Sequence, residues 1–122
     1  MRTIQKLVNE LKNIGVSIYE YLVEKGINKY YNSNGECLKT SSNGLGAIVN
    51  KVSSQTSLKH ILLIHQKGET DYPTFCKQAA ESGVEKWVSD LKKMKVYYID
   101  YDGNVLLEEN IPMFINNLSE IE

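Results

Sequence analysis

The sequence predicts an α+β fold, a single compact domain of helices packed on antiparallel strands. Three observations carry this. Apolar residues recur at helical spacing in three separate stretches. Between them lie short runs rich in Val, Ile and Tyr, residues that suit a pleated, half-buried surface. Two of these runs turn at Asn34-Gly35 and Asp102-Gly103, the strongest short hairpin signals, because both dipeptides accept positive φ.

The chain opens with a helix over 3–13, where Ile4, Leu7, Val8 and Leu11 form one stripe and Gly15 is the stop signal. Val16 to Glu24 reads as a strand, although Tyr19-Glu20-Tyr21-Leu22 could extend a helix. Lys25-Gly26 turns the chain into strands over 27–32 and 36–40, joined at Asn34-Gly35. A polar loop follows, and Ala47-Ile48-Val49 reads as a short strand. Ser53-Ser54-Gln55-Thr56 is a cluster of N-cap candidates for a helix over 55–66, with Leu58, Ile61, Leu62 and His65 at helical spacing and Gly68 beyond its end. Thr70 or Asp71 caps the next helix, where Pro73 is tolerated because a first-turn amide has no helical partner. Gly83 stops it. Strands over 84–91, 95–101 and 104–109 complete the domain.

A shift of 68 residues lays Gly15 on Gly83, Tyr19 on Trp87, Tyr30 on Tyr98 and Gly35 on Gly103. The order helix, glycine stop, strand, turn, strand, turn, strand is kept without a gap. The chain therefore reads as domain 1–111, with pseudo-repeats over 3–41 and 71–109 joined by a helix. Residues 112–122 read as a C-terminal helical extension. Phe114, Ile115, Leu118 and Ile121 supply its apolar side, and Pro112 stands in its first turn. Trp87 is the expected core anchor.

Composition narrows the function classes. Of 122 residues, 14 are Lys or Arg and 15 are Asp or Glu, a formal charge of −1 that disfavours non-specific nucleic-acid binding. The longest aliphatic run, Ile61 to Ile64, is far below the ~20 residues that span a bilayer. The first residues lack the apolar core of a secretory signal, so the expected compartment is the cytoplasm, with Cys37 and Cys76 as free thiols. Arg2 is the single arginine, which disfavours a phosphate site built on guanidinium forks.

Motifs of catalysis are sparse. Gly44-Leu45-Gly46 lacks the Lys-Ser/Thr of a phosphate loop. His60 and His65 are five apart on one helix, which places them on different faces, and no zinc pattern joins them to the cysteines. Nothing implies a metal or a cofactor. The strongest local candidate is the polar junction from His65 to Cys76, with His65, Gln66, Asp71, Tyr72 and Cys76 as candidate binding residues. His65 and Asp71, on facing helix ends, could exchange a proton, and a thiol near a helix N-terminus could be activated. Capping by Thr70 and Asp71, and core packing of Cys76 beside Tyr72 and Ala79, account for the same residues without a ligand. Eight tyrosines could form a stacking surface, but alternation sends Tyr98 to one face and Tyr97 and Tyr101 to the other.

The pattern His65-Gln66, Gly68, Thr70-Asp71-Tyr72, Thr74-Phe75-Cys76, then Ala80, Gly83-Val84, Lys86-Trp87-Val88, Asp90-Leu91, Met94 and Tyr97-Tyr98 resembles the YbcV-like family. These are uncharacterised bacterial and prophage proteins, sometimes labelled phage envelope protein. The resemblance is dense over about 45 residues and looser over the first 50. It implies a compact α+β domain and supplies no activity, cofactor or catalytic residue. The leading functional expectation is a non-catalytic binding or regulatory module of prophage origin, a monomer or homodimer with a protein or small-molecule partner. The alternatives are a small hydrolase or transferase using His65, Asp71 and Cys76, and a phage structural component.

Overall fold

An amphipathic helix needs an apolar floor, and half-buried strands need a lid on one face. The computed structural model, which describes residues 4–41 and 46–111, shows how the chain meets both demands. In chain order the elements are α1 (Ile4–Asn13), β1 (Val16–Leu22), β2 (Ile27–Asn32), β3 (Cys37–Ser41), α2 (Gln55–Gln66), α3 (Tyr72–Glu81), β4 (Lys86–Asp90), β5 (Lys95–Ile99) and β6 (Val105–Asn110). The strands form one antiparallel sheet in the order β3-β2-β1-β4-β5-β6. The predicted α+β fold is the observed one. The run Tyr19 to Leu22 belongs to a strand and does not extend a helix.

All three helices lie on one face. Val8 and Leu11 of α1 close on Leu91 and Ile111, with Tyr19, Tyr30 and Val96 against them. Leu58, Ile61 and Leu62 of α2 and Phe75, Cys76, Ala79 and Ala80 of α3 close on Tyr21, Trp87 and Tyr98. Trp87 is the anchor: it is 6% exposed, and its ring meets those of Tyr21, Phe75 and Tyr98 at 4.8, 5.5 and 6.0 Å. The opposite face carries ion pairs, Lys86 to Glu20 at 3.3 Å and Lys95 to Glu108 at 2.6 Å.

The two halves match in detail. β1 pairs Tyr19 with Tyr30, and β4 pairs Trp87 with Tyr98, each partner 68 positions further on. The amide of Val23 donates to Glu85 O (3.0 Å), and that of Leu91 donates to Ser17 O (2.9 Å), across the central β1–β4 seam. Gly26 turns the first hairpin at φ 65°, and Met94 takes the corresponding place at φ 56°.

Several boundaries differ from expectation: β1 ends at Leu22, short of Glu24, and β3 and β6 are each shifted by one residue. Ala47 to Val49 is not a strand. The Ala47 amide reaches Val23 O and the Asn50 amide reaches Ala80 O, one strand end and one helix end, so no ladder can grow. β4 starts at Lys86, since the Val84 amide is still held by Ala79 O at the end of α3. β5 ends at Ile99 because Asp100 begins the next turn. The helix expected beyond Pro112 lies outside the described residues.

Candidate functional site

The α2–α3 junction is built by local rules. α2 starts on Ser54, whose hydroxyl accepts from the Ser57 amide at 3.1 Å. It ends at a reversal where Gly68, at φ 80°, donates to His65 O. α3 starts on Asp71, whose carboxylate accepts the Thr74 amide at 2.9 Å. Bonds from Thr74, side chain first, hold the Asp71 carboxyl below the usual range, with a smaller contribution from His65.

His65 is engaged locally as well. Its Nδ1 lies 3.1 Å from Thr70 O and 3.0 Å from Thr70 Oγ1, and its ring stacks on Phe75 at 4.5 Å. Gln66 points elsewhere, its Nε2 donating to Glu109 Oε2 at 3.1 Å on β6. The junction therefore splits. His65 serves the α2–α3 turn, Gln66 ties α2 to the sheet edge, and Tyr72 and Cys76 face β1.

Below Tyr72 and Cys76 is a cluster that the junction motif does not show. Alternation puts Tyr19 and Tyr21 of β1 on the helix-bearing face, and Asn28 of β2 lies directly opposite Tyr21. The Tyr19 hydroxyl donates to Asn28 Oδ1 at 2.7 Å, and Asn28 Nδ2 donates to Thr40 Oγ1 at 3.3 Å. Tyr72 leans over Tyr21 with ring centroids 6.2 Å apart, and remains 40% exposed. Cys76 is fully buried, and burial pushes its thiol pKa up, partly offset by the phenols of Tyr21 and Tyr72. Burial also raises Tyr19, Tyr21 and Tyr72, so the cluster is made of neutral donors and acceptors at physiological pH.

Among the described residues two buried side-chain atoms lack a hydrogen-bond partner, Gln78 Oε1 on α3 and the Tyr21 hydroxyl in this cluster. Tyr21 is 0% exposed, and its hydroxyl has no properly formed hydrogen bond. The Cys76 thiol beside it is a weak partner. The signal in the sequence was the i, i+2 spacing of Tyr19 and Tyr21. What it lacked was the placement of α3 across β1.

The sequence pattern of the family described as Protein of unknown function (DUF1398) matches residues 2–110. The chain belongs to that family. The DUF1398 region takes in α1 through β6, so the whole Tyr19, Tyr21, Asn28, Tyr72, Cys76 cluster lies within it. A comparison with curated proteins found no match. Among the described residues of this DUF1398 protein, no three His, Cys, Asp or Glu side chains converge as a metal-ion set. Among the same residues, no helix is long and apolar enough to cross a membrane.

Proposed function

We propose that this protein is a non-catalytic binding module that takes a small, uncharged polar molecule beneath Tyr72. The observation that carries the reading is the buried Tyr21 hydroxyl without a proper partner. Leaving such a group unpaired costs about 1–3 kcal/mol, a cost that a ligand oxygen or nitrogen placed there would remove. Tyr21, Tyr72 and Cys76 offer phenols and a thiol, a set suited to a carbonyl, amide or hydroxyl compound. Tyr72 would cover it, since it sits at the start of α3 and is the exposed member of the cluster.

A nucleophilic reading on His65, Asp71 and Cys76 has less support. Asp71 is occupied as a cap, His65 is held by Thr70, and the Cys76 thiol is buried with a raised pKa, the opposite of an activated thiolate. The same proposal takes the matched halves as copies of one unit, the YbcV-like resemblance as a sign of prophage origin, and the free Cys37 and Cys76 as fitting a reducing cytoplasm. It leaves the protein a monomer or homodimer.

The test is a screen of small amides, ketones and polyols by thermal shift, repeated on Tyr21→Phe. Tyr21→Phe alone should be at least as stable as the parent, because it removes an unpaired hydroxyl. A ligand should raise the melting temperature of the parent and not of the variant. If every hit stabilises both proteins equally, or Tyr21→Phe is strongly destabilised, the hydroxyl is not the binding group.

A further inference from the structure

The phenols of the cluster differ in what they have left to give. Tyr19 and Tyr21 stand two apart on β1, on the face that α3 covers. The Tyr19 hydroxyl lies 2.7 Å from Asn28 Oδ1, the distance of an O–H···O bond, so its proton is spent there. The Asn28 amide is held in that sense from its other end, where Nδ2 donates to Thr40 Oγ1 at 3.3 Å. Toward the cluster Tyr19 therefore presents lone pairs and no proton.

Tyr21 is the reverse. Its hydroxyl is fully buried with no well-formed bond, and the group beside it is the Cys76 sulfur, a weak acceptor. It has a proton to give. Tyr72 lies over both phenols. Its ring is 6.2 Å from that of Tyr21, and its hydroxyl bonds toward the Tyr19 hydroxyl and the Cys76 thiol. Tyr72 is thus the group that rests against the Tyr19 lone pairs. At 40% exposure it is also the tyrosine of the three with the shortest way into solvent.

Building on the binding reading above, we propose that the group held beneath Tyr72 is a carboxamide, bound at both its ends. Its carbonyl oxygen accepts from Tyr21, and its N–H donates to the Tyr19 oxygen as Tyr72 swings aside. Residues two apart on a strand are roughly 6.8 Å apart. One amide group, with a hydrogen bond of about 2.9 Å on each side, bridges such a span. Asn28 is a positioning residue. It takes the Tyr19 proton and so makes that phenol an acceptor, with both ends of its own amide engaged. A ketone fills only the Tyr21 end. An ester sets its second oxygen against the Tyr19 oxygen, two acceptors facing each other, which works against binding. A carboxylate or an ammonium group meets neutral phenols and no counter-charge, so its burial is costly.

The experiment compares pyrrolidinone, butyrolactone and cyclopentanone. These are five-membered rings of one size that carry a carbonyl beside N–H, beside oxygen and beside CH₂. Dissociation constants come from NMR titration of the full chain, with the backbone amides of Tyr21 and Tyr72 as reporters. Pyrrolidinone should bind about tenfold or more tighter than either ring without an N–H. Tyr19→Phe should bring pyrrolidinone to the level of cyclopentanone and leave cyclopentanone where it was. Asn28→Leu frees the Tyr19 proton, so butyrolactone should gain while pyrrolidinone does not, a reversal that loosened packing would not produce. If Asn28→Leu weakens all three rings alike, Asn28 does not set the polarity and the assignment fails. Equal binding of the three rings to the parent, all of it lost in Tyr21→Phe, would overturn the carboxamide and leave the binding reading standing. No binding of any ring, or binding that Tyr21→Phe leaves unchanged, would overturn both.

Discussion

The turns at Asn32 and Asp100 share one hydrogen-bond plan and sit in different surroundings. Asn32 Oδ1 accepts the amides of Asn34 (2.9 Å) and Glu36 (3.0 Å), and Asp100 Oδ1 accepts those of Asp102 (3.0 Å) and Asn104 (2.8 Å). Asn32 is half-buried. Asp100 is 6% exposed because Ser53, just before α2, bonds its other oxygen at 3.2 Å. The same contrast runs through the halves. α3, α2 and the segment around Val49 enclose the Trp87 side, while the Tyr19 side is closed by α1. An Asn or Asp four residues before the turn's end makes the same turn in both places, and what crosses over it decides how much each contributes.

The largest difference should appear at the paired aromatics. Trp87→Ala should cost about 3–5 kcal/mol, and Tyr19→Ala, in a half-buried place, roughly 2 kcal/mol. Urea unfolding of both variants measures this, and equal losses would mean that the two sides are packed alike. Next are the glycines. Both Gly15→Ala and Gly83→Ala should lose about 1–2 kcal/mol, because each holds a left-handed backbone. Gly83→Ala should lose a further ~1–3 kcal/mol through the clash with Ser53. A Gly83→Ala variant as stable as Gly15→Ala would show that Ser53 gives way freely.

A smaller effect separates the two turns by pH. Burial works to raise the Asp100 pKa, but the bonds from Asn104, Ser53 and Asp102 outweigh it and the net direction is down. A carboxyl lowered on folding adds stability that is fully present above its unfolded value, near ~3.9, and is lost as pH falls through the folded one. The parent should therefore lose stability more steeply than Asp100→Asn between about pH 5 and 2, with a gap of about 1 kcal/mol at neutral pH. Asn32→Ala should leave the acid slope unchanged. The last comparison needs no mutation. Cys37 is exposed and Cys76 buried, so a thiol reagent should label one site quickly and the second only on unfolding. Rapid double labelling would show that the α3–β1 seam opens.

Local chemistry accounts for what could be read without the structure. Asp71 and Ser54 cap helices, Gly15 and Gly83 end them, and Asn34-Gly35 and Asp102-Gly103 turn hairpins, because each works through neighbours a few residues away. The 3.6 and 2 periodicities placed Val8, Leu58, Phe75 and Trp87 inside for the same reason. Tertiary structure decided the rest. Which strand lies at the centre depends on β1 finding β4, a pairing about 68 residues long in sequence and invisible to any short window. Ala47 to Val49 has the residues of a strand, but its neighbours offer single carbonyls and no edge. His65 and Asp71 looked like a pair from their helix ends, yet Thr70 and Thr74 are nearer partners. The Tyr21 hydroxyl acquires meaning only when α3 lays Cys76 and Tyr72 over it and removes the water it would otherwise bond.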